Sequence, residues 1–268
     1  GWMLVAGLLV LCLTDLWTVN RRYLNPNDTK QFVKKVERQQ VRPMTDADRQ
    51  ILADTSLDYR VLNLAGNVFN ENETSYYHKS VGGYHPAKLR RYQELIEYYI
   101  SNQLNAVRQT LSTTGTDLSV VNGDSIWPVI NMLNTKYSLM AQQNIAVQNP
   151  YAYGNAWMVD RVNYVNNANE EIDALGKLNL RHEAVADKQF EAVLGQAVAQ
   201  DSTSTVQMTS YQPNKLTYTV DGKGGVLVLS EIYYPGWTAT VDGQEVELGR
   251  VNYVLSLDRK SGSAGMPR

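Results

Sequence analysis

Residues 2–13 read WMLVAGLLVLCL, twelve positions without a charge, and no other stretch constrains the chain so strongly. A helix that is apolar all round cannot face water, so it must lie in a membrane, in a core or against another molecule. Twelve residues fall short of the ~20 that a bilayer requires. The end of a membrane helix and a buried core helix therefore both stay open. A signal peptide fits less well, because Arg21 and Arg22 follow the apolar run and no positive start or small-residue cleavage site accompanies it. Trp17, Arg21, Arg22 and Tyr23 have the composition of a membrane-interface exit. The positive-inside tendency would put the arginines in the cytoplasm, but one dibasic pair ahead of a long domain carries little weight. The reading adopted for residues 1–24 is the end of a transmembrane helix.

Residues 25–44 are polar, broken by Pro26 and Pro43, and read as a connector with a short amphipathic helix over 29–39. The 45–183 stretch alternates helix and strand signals and predicts a mixed α/β domain. Thr45-Asp46-Ala47-Asp48 opens a helix with carboxylates in its first turn. Residues 59–64, 136–140 and 156–165 alternate as strands. Pro86 suits a first helical position, which predicts a helix from Ala87 to about Leu104. Further helices are expected over 126–133 and 169–178. After Ala184 the pattern changes to short strands over 206–209, 215–220, 226–230, 238–241 and 252–255, punctuated by Pro213-Asn214, Gly224-Gly225, Pro235-Gly236 and Asp242-Gly243. That spacing predicts an antiparallel β-sandwich-like domain over 184–258, with a tight hairpin at Asp242-Gly243 and a disordered tail over 259–268. The fold class is α+β.

Lys and Arg number 25 against 27 Asp and Glu, too even a balance for the basic face that nucleic acid requires. Cys12 is the only cysteine, so no disulfide forms within the chain. Phosphate-cradling Walker loops, paired-histidine metal helices and nucleophile elbows are missing from the sequence. His78, His85 and His182 are too scattered to predict a metal site, and no cofactor or catalytic residue is expected. Two clusters are candidates for binding. Gly82 and Gly83 precede the predicted helix start, with Lys79, His85 and Lys88 nearby, a pattern that can offer free N–H groups and cations to an anion. A glycine pair before a helix is more often only a tight turn. Tyr233, Tyr234 and Trp237 bracket Pro235-Gly236. Exposed, they would form a glycan-stacking or membrane-contacting ledge; Trp237 is expected to be buried as a structural residue instead.

Long stretches of the chain resemble the YfhO family of bacterial multi-pass membrane proteins, in the form found in Bacteroidetes. They are residues 74–97, TSYYHKSVGGYHPAKLRRYQELIE; Asn131 to Tyr137, NMLNTKY; Asn149-Pro150; GNAW ending at Trp157; and SEIYYPGW ending at Trp237 with Asp242-Gly243. Asp15 to Trp17 and Arg22 to Leu24 are similar to that family's exit from a membrane helix. The resemblance implies a parent with many membrane helices, similar to polyprenyl-phosphate-dependent glycosyltransferases, at the bacterial cytoplasmic membrane. It places this portion on the extracytoplasmic, periplasmic side, shaping the acceptor side or binding a glycan or polyprenyl-phosphate. The catalytic acid of such transferases lies in an early loop, so the resemblance assigns no catalytic residue here. A purely structural or partner-binding domain is the alternative. After Leu255 the chain departs from the family, whose arginine, Pro-Ala-Gly-type turn and last strand are replaced by SLDRKSGSAGMPR. The sandwich is therefore expected to lack its final strand and to leave an open edge.

Overall fold

The apolar N-terminus forms one uninterrupted helix, α1 (Trp2–Tyr23), in which Leu and Ala favour helix and Arg21 and Arg22 lie favourably in the last turn. Its 22 residues span about 33 Å at ~1.5 Å per residue, against a hydrocarbon core of ~30 Å. The helix is thus long and apolar enough to cross a membrane, and it buries none of its residues. The computed structural model describes residues 1–24, 41–140, 144–195, 204–222, 226–258 and 264–267. The helix expected over 29–39 falls outside them. Backbone contacts divide the chain into two units, Gly1–Met44 and Thr45–Arg268.

The second unit opens with α2 (Asp46–Leu52), started by a capping box in which Thr45 and Asp48 exchange hydrogen bonds. The buried Asp48 carboxylate also meets Nε2 of buried His78 at 2.8 Å, which ties the helix start to the chain 30 residues on. β1 (Arg60–Asn63) pairs parallel with β2 (Thr135–Met140), and β2 pairs antiparallel with β3 (Ile145–Gln148). Between β1 and β2 runs a long helical segment over 90–114: α3 (Arg90–Leu95), a π turn (Ile96–Ile100) and α4 (Ser101–Thr114). It buries Leu95, Ile96, Ile100, Leu104, Val107 and Leu111. The helix begins later than Pro86 predicts. His85 Nδ1 accepts the Ala87 N–H and Leu89 is extended, so residues 86–89 form a turn and an approach. Two short helices follow, α5 (Gly123–Ile126) and α6 (Pro128–Met132).

The strand expected over 156–165 divides at Asp160 into β4 (Ala156–Val159) and β5 (Arg161–Val165). The Asp160 N–H donates to His182 O at 2.8 Å, anchoring the break. β5 pairs parallel with β6 (Glu183–Asp187), with α7 (Ala168–Leu175) between them and capped by the Asn167 side chain. After α8 (Glu191–Leu194) come β7 (Thr205–Gln212), β8 (Lys215–Asp221), β9 (Val226–Ile232), β10 (Ala239–Val241), β11 (Gln244–Val246), β12 (Gly249–Val251), β13 (Leu255–Asp258) and β14 (Ala264–Pro267). They build two antiparallel sheets, ordered β11-β10-β14-β8-β7 and β12-β13-β9-β4. Asp242 (φ 51°) and Gly243 (φ 81°) both take positive φ, as the predicted tight hairpin requires.

Two expectations need correction. The 45–183 and 184–258 segments are not successive domains: β4 from the first pairs with β9 of the second, within one unit. Nor is the C-terminal stretch wholly a disordered tail beside an open edge. β14 pairs with β8 and β10 and fills the place between them.

A fully buried carboxylate, Glu171 of α7, ties several of these elements. It accepts from Arg91 at 3.0 Å and from the Tyr253 N–H at 3.1 Å, and Arg250 lies at 3.5 Å. Glu171→Ala strands two cations in a poorly solvated setting and should cost about 3–5 kcal/mol, read as a lower urea midpoint. Deleting residues 1–24 should leave the unfolding temperature of the remainder nearly unchanged and raise its solubility. A large fall would show that α1 belongs to the core.

Candidate functional site

The Gly82-Gly83 turn is built for close approach. A Cβ at Gly82 would stand 2.1 Å from Val68 O, and Gly83 has φ +100°. Its amides are already engaged: Gly82 N–H donates to Ser80 Oγ, Gly83 N–H to Val68 O and Tyr84 N–H to Glu71 O. The helix starts only at Arg90, so its first turn does not follow directly on the glycines. The anion site expected from backbone N–H groups is therefore not formed. Lys79 is committed elsewhere, paired with Asp58 and 3.8 Å from the Tyr211 ring centroid. Burial opposes its charge, but the hydrogen bonds to Asp58 and Tyr211 outweigh that and raise its pKa.

The remaining members do meet. Gly82, Gly83, His85 and Lys88 line a cavity of about 350 Å³ together with Arg60 and Tyr92. Arg60 is held by NH1, which donates to Leu133 O and Ser230 O, both at 2.8 Å. The Tyr92 hydroxyl donates to Val81 O at 2.6 Å, and burial pushes its pKa up to about 12. Lys88 Nζ lies 5.4 Å from the Phe69 ring centroid. Arg60 escapes sequence reasoning because it precedes the glycines by more than twenty residues, and the Val61–Ser80 bridge between β1 and the approach to the turn places it.

The aromatic cluster lines a second, larger cleft of about 520 Å³ with Glu245 and Glu247. Tyr233 packs edge-on to Phe190, 6.0 Å between centroids, while Tyr234 is 54% exposed. Gly236, at φ +100°, turns the chain between Tyr234 and Trp237. Trp237 is only half-buried, packing against the core residues between the two sheets and forming part of the cleft wall, which corrects its expected full burial. The two glutamates follow from the hairpin. Alternation along 245–247 turns Val246 toward the core and both carboxylates away from it. Beneath the cleft, burial raises the Glu231 carboxyl pKa although Arg60 NH2 stands 3.9 Å away.

Among the described residues no group of three His, Cys, Asp or Glu side chains could hold a metal. His182 lies beside Asp160 at 3.3 Å, and Cys12 is exposed on α1. Comparison of the chain with protein-family models, curated proteins and solved structures finds no match. For the half-buried indole, Trp237→Ala should lower stability by about 1–2 kcal/mol, below the ~3–5 of a fully buried ring. Chemical denaturation measures this directly, and a loss above that range would mean the ring is core and not cleft wall.

Proposed function

We propose that this chain is the extracytoplasmic part of a YfhO-like multi-pass membrane protein, and that its aromatic cleft holds a glycan on the acceptor side of a glycosyl-transfer site. The observation that carries the proposal is the joining of Tyr233, Tyr234 and Trp237 with Glu245 and Glu247 in one cleft of about 520 Å³. A pyranose presents polarised C–H groups on its face and hydroxyls on its edge. The negative face of an aromatic ring attracts the former, and carboxylates accept from the latter. The acidic rim suits neutral or amino sugars and disfavours acidic ones. α1, long and apolar enough to span a bilayer, supports a membrane-tethered setting. In this reading the transfer chemistry belongs to other parts of the parent protein. This portion positions the acceptor.

The alternative, a structural or partner-binding domain without a role in sugar chemistry, draws support from the contact of Tyr233 with Phe190. Titrating the full chain in non-ionic detergent with neutral and amino-sugar oligosaccharides, read by tryptophan fluorescence, separates the two. Tyr234→Ala removes an exposed stacking face and should weaken binding about 3–10-fold with the denaturation midpoint unchanged. No response to any oligosaccharide, together with unaltered cell-envelope glycans after deletion of the full-length gene, would reject the glycan reading.

A further inference from the structure

We infer that the 350 Å³ cavity beside the Gly82-Gly83 turn binds a small organic carboxylate of the acidic-sugar class. This cavity is separate from the aromatic cleft, and the inference does not rest on the reading of that cleft.

Three observations carry it. The first is charge. Arg60 and Lys88 contribute to the wall and, among the described residues, no carboxylate side chain does, so the lining favours an anion. The second is how Arg60 is presented. Its NH1 is fixed by two backbone carbonyls, whereas NH2 stands 3.9 Å from Glu231 Oε2, beyond hydrogen-bond distance. The guanidinium is thus held in place through NH1 with no carboxylate at hydrogen-bond distance from NH2, and a carboxylate suits a charged donor of that kind. Glu231 also offsets part of the Arg60 charge, which leaves an excess suited to one negative charge rather than two.

The third is the state of the backbone. Protein sites for phosphate commonly rely on free glycine-turn amides or a helix N-terminus. Here the amides of Gly82, Gly83 and Tyr84 donate to Ser80, Val68 and Glu71, so the turn itself keeps no free N–H group for a phosphate. A dianionic phosphate would lack the turn amides that such sites use. The Ser75 and Ser80 hydroxyls and the Tyr92 ring supply polar and apolar surface for a hydroxylated ring. The volume sits at the lower end of the ~300–1,000 Å³ typical of small-molecule sites, the scale of one or two sugar units and not of a lipid chain.

The test titrates the full chain in non-ionic detergent with glucuronate, glucose and inorganic phosphate by isothermal calorimetry. Glucuronate should saturate the site, with glucose at least tenfold weaker and phosphate no tighter than glucuronate. Lys88→Ala should weaken glucuronate about tenfold, equal to ~1.4 kcal/mol, and Lys88→Glu should abolish binding. Among the described residues Lys88 makes no hydrogen bond, and unchanged denaturation midpoints would verify that the fold does not depend on it. Tyr234→Ala should leave glucuronate binding intact, so loss of the aromatic cleft and loss of this cavity can be told apart. Equal binding of glucose and glucuronate, phosphate tenfold tighter than glucuronate, no effect of either Lys88 variant, or no glucuronate heat at about 10 mM would each overturn the inference.

Discussion

Burial of β9 on both faces is the constraint from which the rest of the second unit follows. Val226 and Val228 point into the larger core with the 90–114 helical segment, while Leu227 and Leu229 point into the smaller core between the two sheets. A strand buried this way reads as a continuous apolar run rather than an alternation, and VLVLS is such a run. It has neighbours on both edges, β13 and β4, and β4 comes from far earlier in the chain. Neither half can close its core without the other. The Ser230 hydroxyl at the end of the run lies within hydrogen-bond distance of Met132 O and Gly154 O, which extends the same tie to α6 and the chain before β4.

A second tie runs through the turn after β12. Asn252 (φ 48°) and Tyr253 (φ 71°) both take the left-handed conformation, at a cost of ~1–3 kcal/mol for a non-glycine residue. Asn252 offsets this by exchanging two hydrogen bonds with Val185, its N–H donating to Val185 O and its Oδ1 accepting the Val185 N–H. Tyr253 donates its N–H to Glu171 and its hydroxyl to Glu94, with Arg91 stacked 4.4 Å from its ring centroid. A strained turn persists where its surroundings over-determine it. Here α7, the helical segment and β6 converge on two residues.

The local grammar of the sequence was legible and its long-range pairing was not. The helix start at Thr45 to Asp48, the Asp242-Gly243 hairpin and the apolar helix of residues 2–13 rest on interactions within a few residues, and each is present. The division of the 156–165 strand at Asp160 and the partnership of β4 with β9 depend on contacts far along the chain, which no local period encodes. β14 was missed because Gly and Ser dominate its approach and its few residues show no alternation. Several asparagines in the most distinctive stretches turn out to bond within the protein. Asn131 Nδ2 donates to Gly123 O, Asn149 Nδ2 to Asn131 Oδ1 and Thr135 O, and Asn134 Nδ2 to Asp58 O. Buried amides satisfied in this way hold loops in place, so a specific sequence signature there marks architecture rather than chemistry.

The candidate sites show how one strand end sorts opposite charges. Ile232 lines the cationic cavity, and its neighbour Tyr233 lines the acidic aromatic cleft. Successive side chains at the end of a strand point to opposite faces, so one step along the backbone separates the two environments. Between them Glu231, Ile232 and Trp237 close a space of about 10 Å³, roughly the volume one water needs. Glu231 therefore has protein packed around it and Arg60 on one side, and its raised pKa reflects that burial. A carboxylate so placed tempers the Arg60 charge without entering the lining of the cavity. The glutamates of the opposite cleft are the reverse case, since Glu245 and Glu247 are exposed and keep their full hydration until a ligand displaces it. In the two proposals, selectivity in the first environment rests on a fixed, partly compensated cation, and in the second on stacking surface with carboxylates that must be desolvated. The same β9 that joins the two cores thus also sets two chemically distinct surfaces one residue apart.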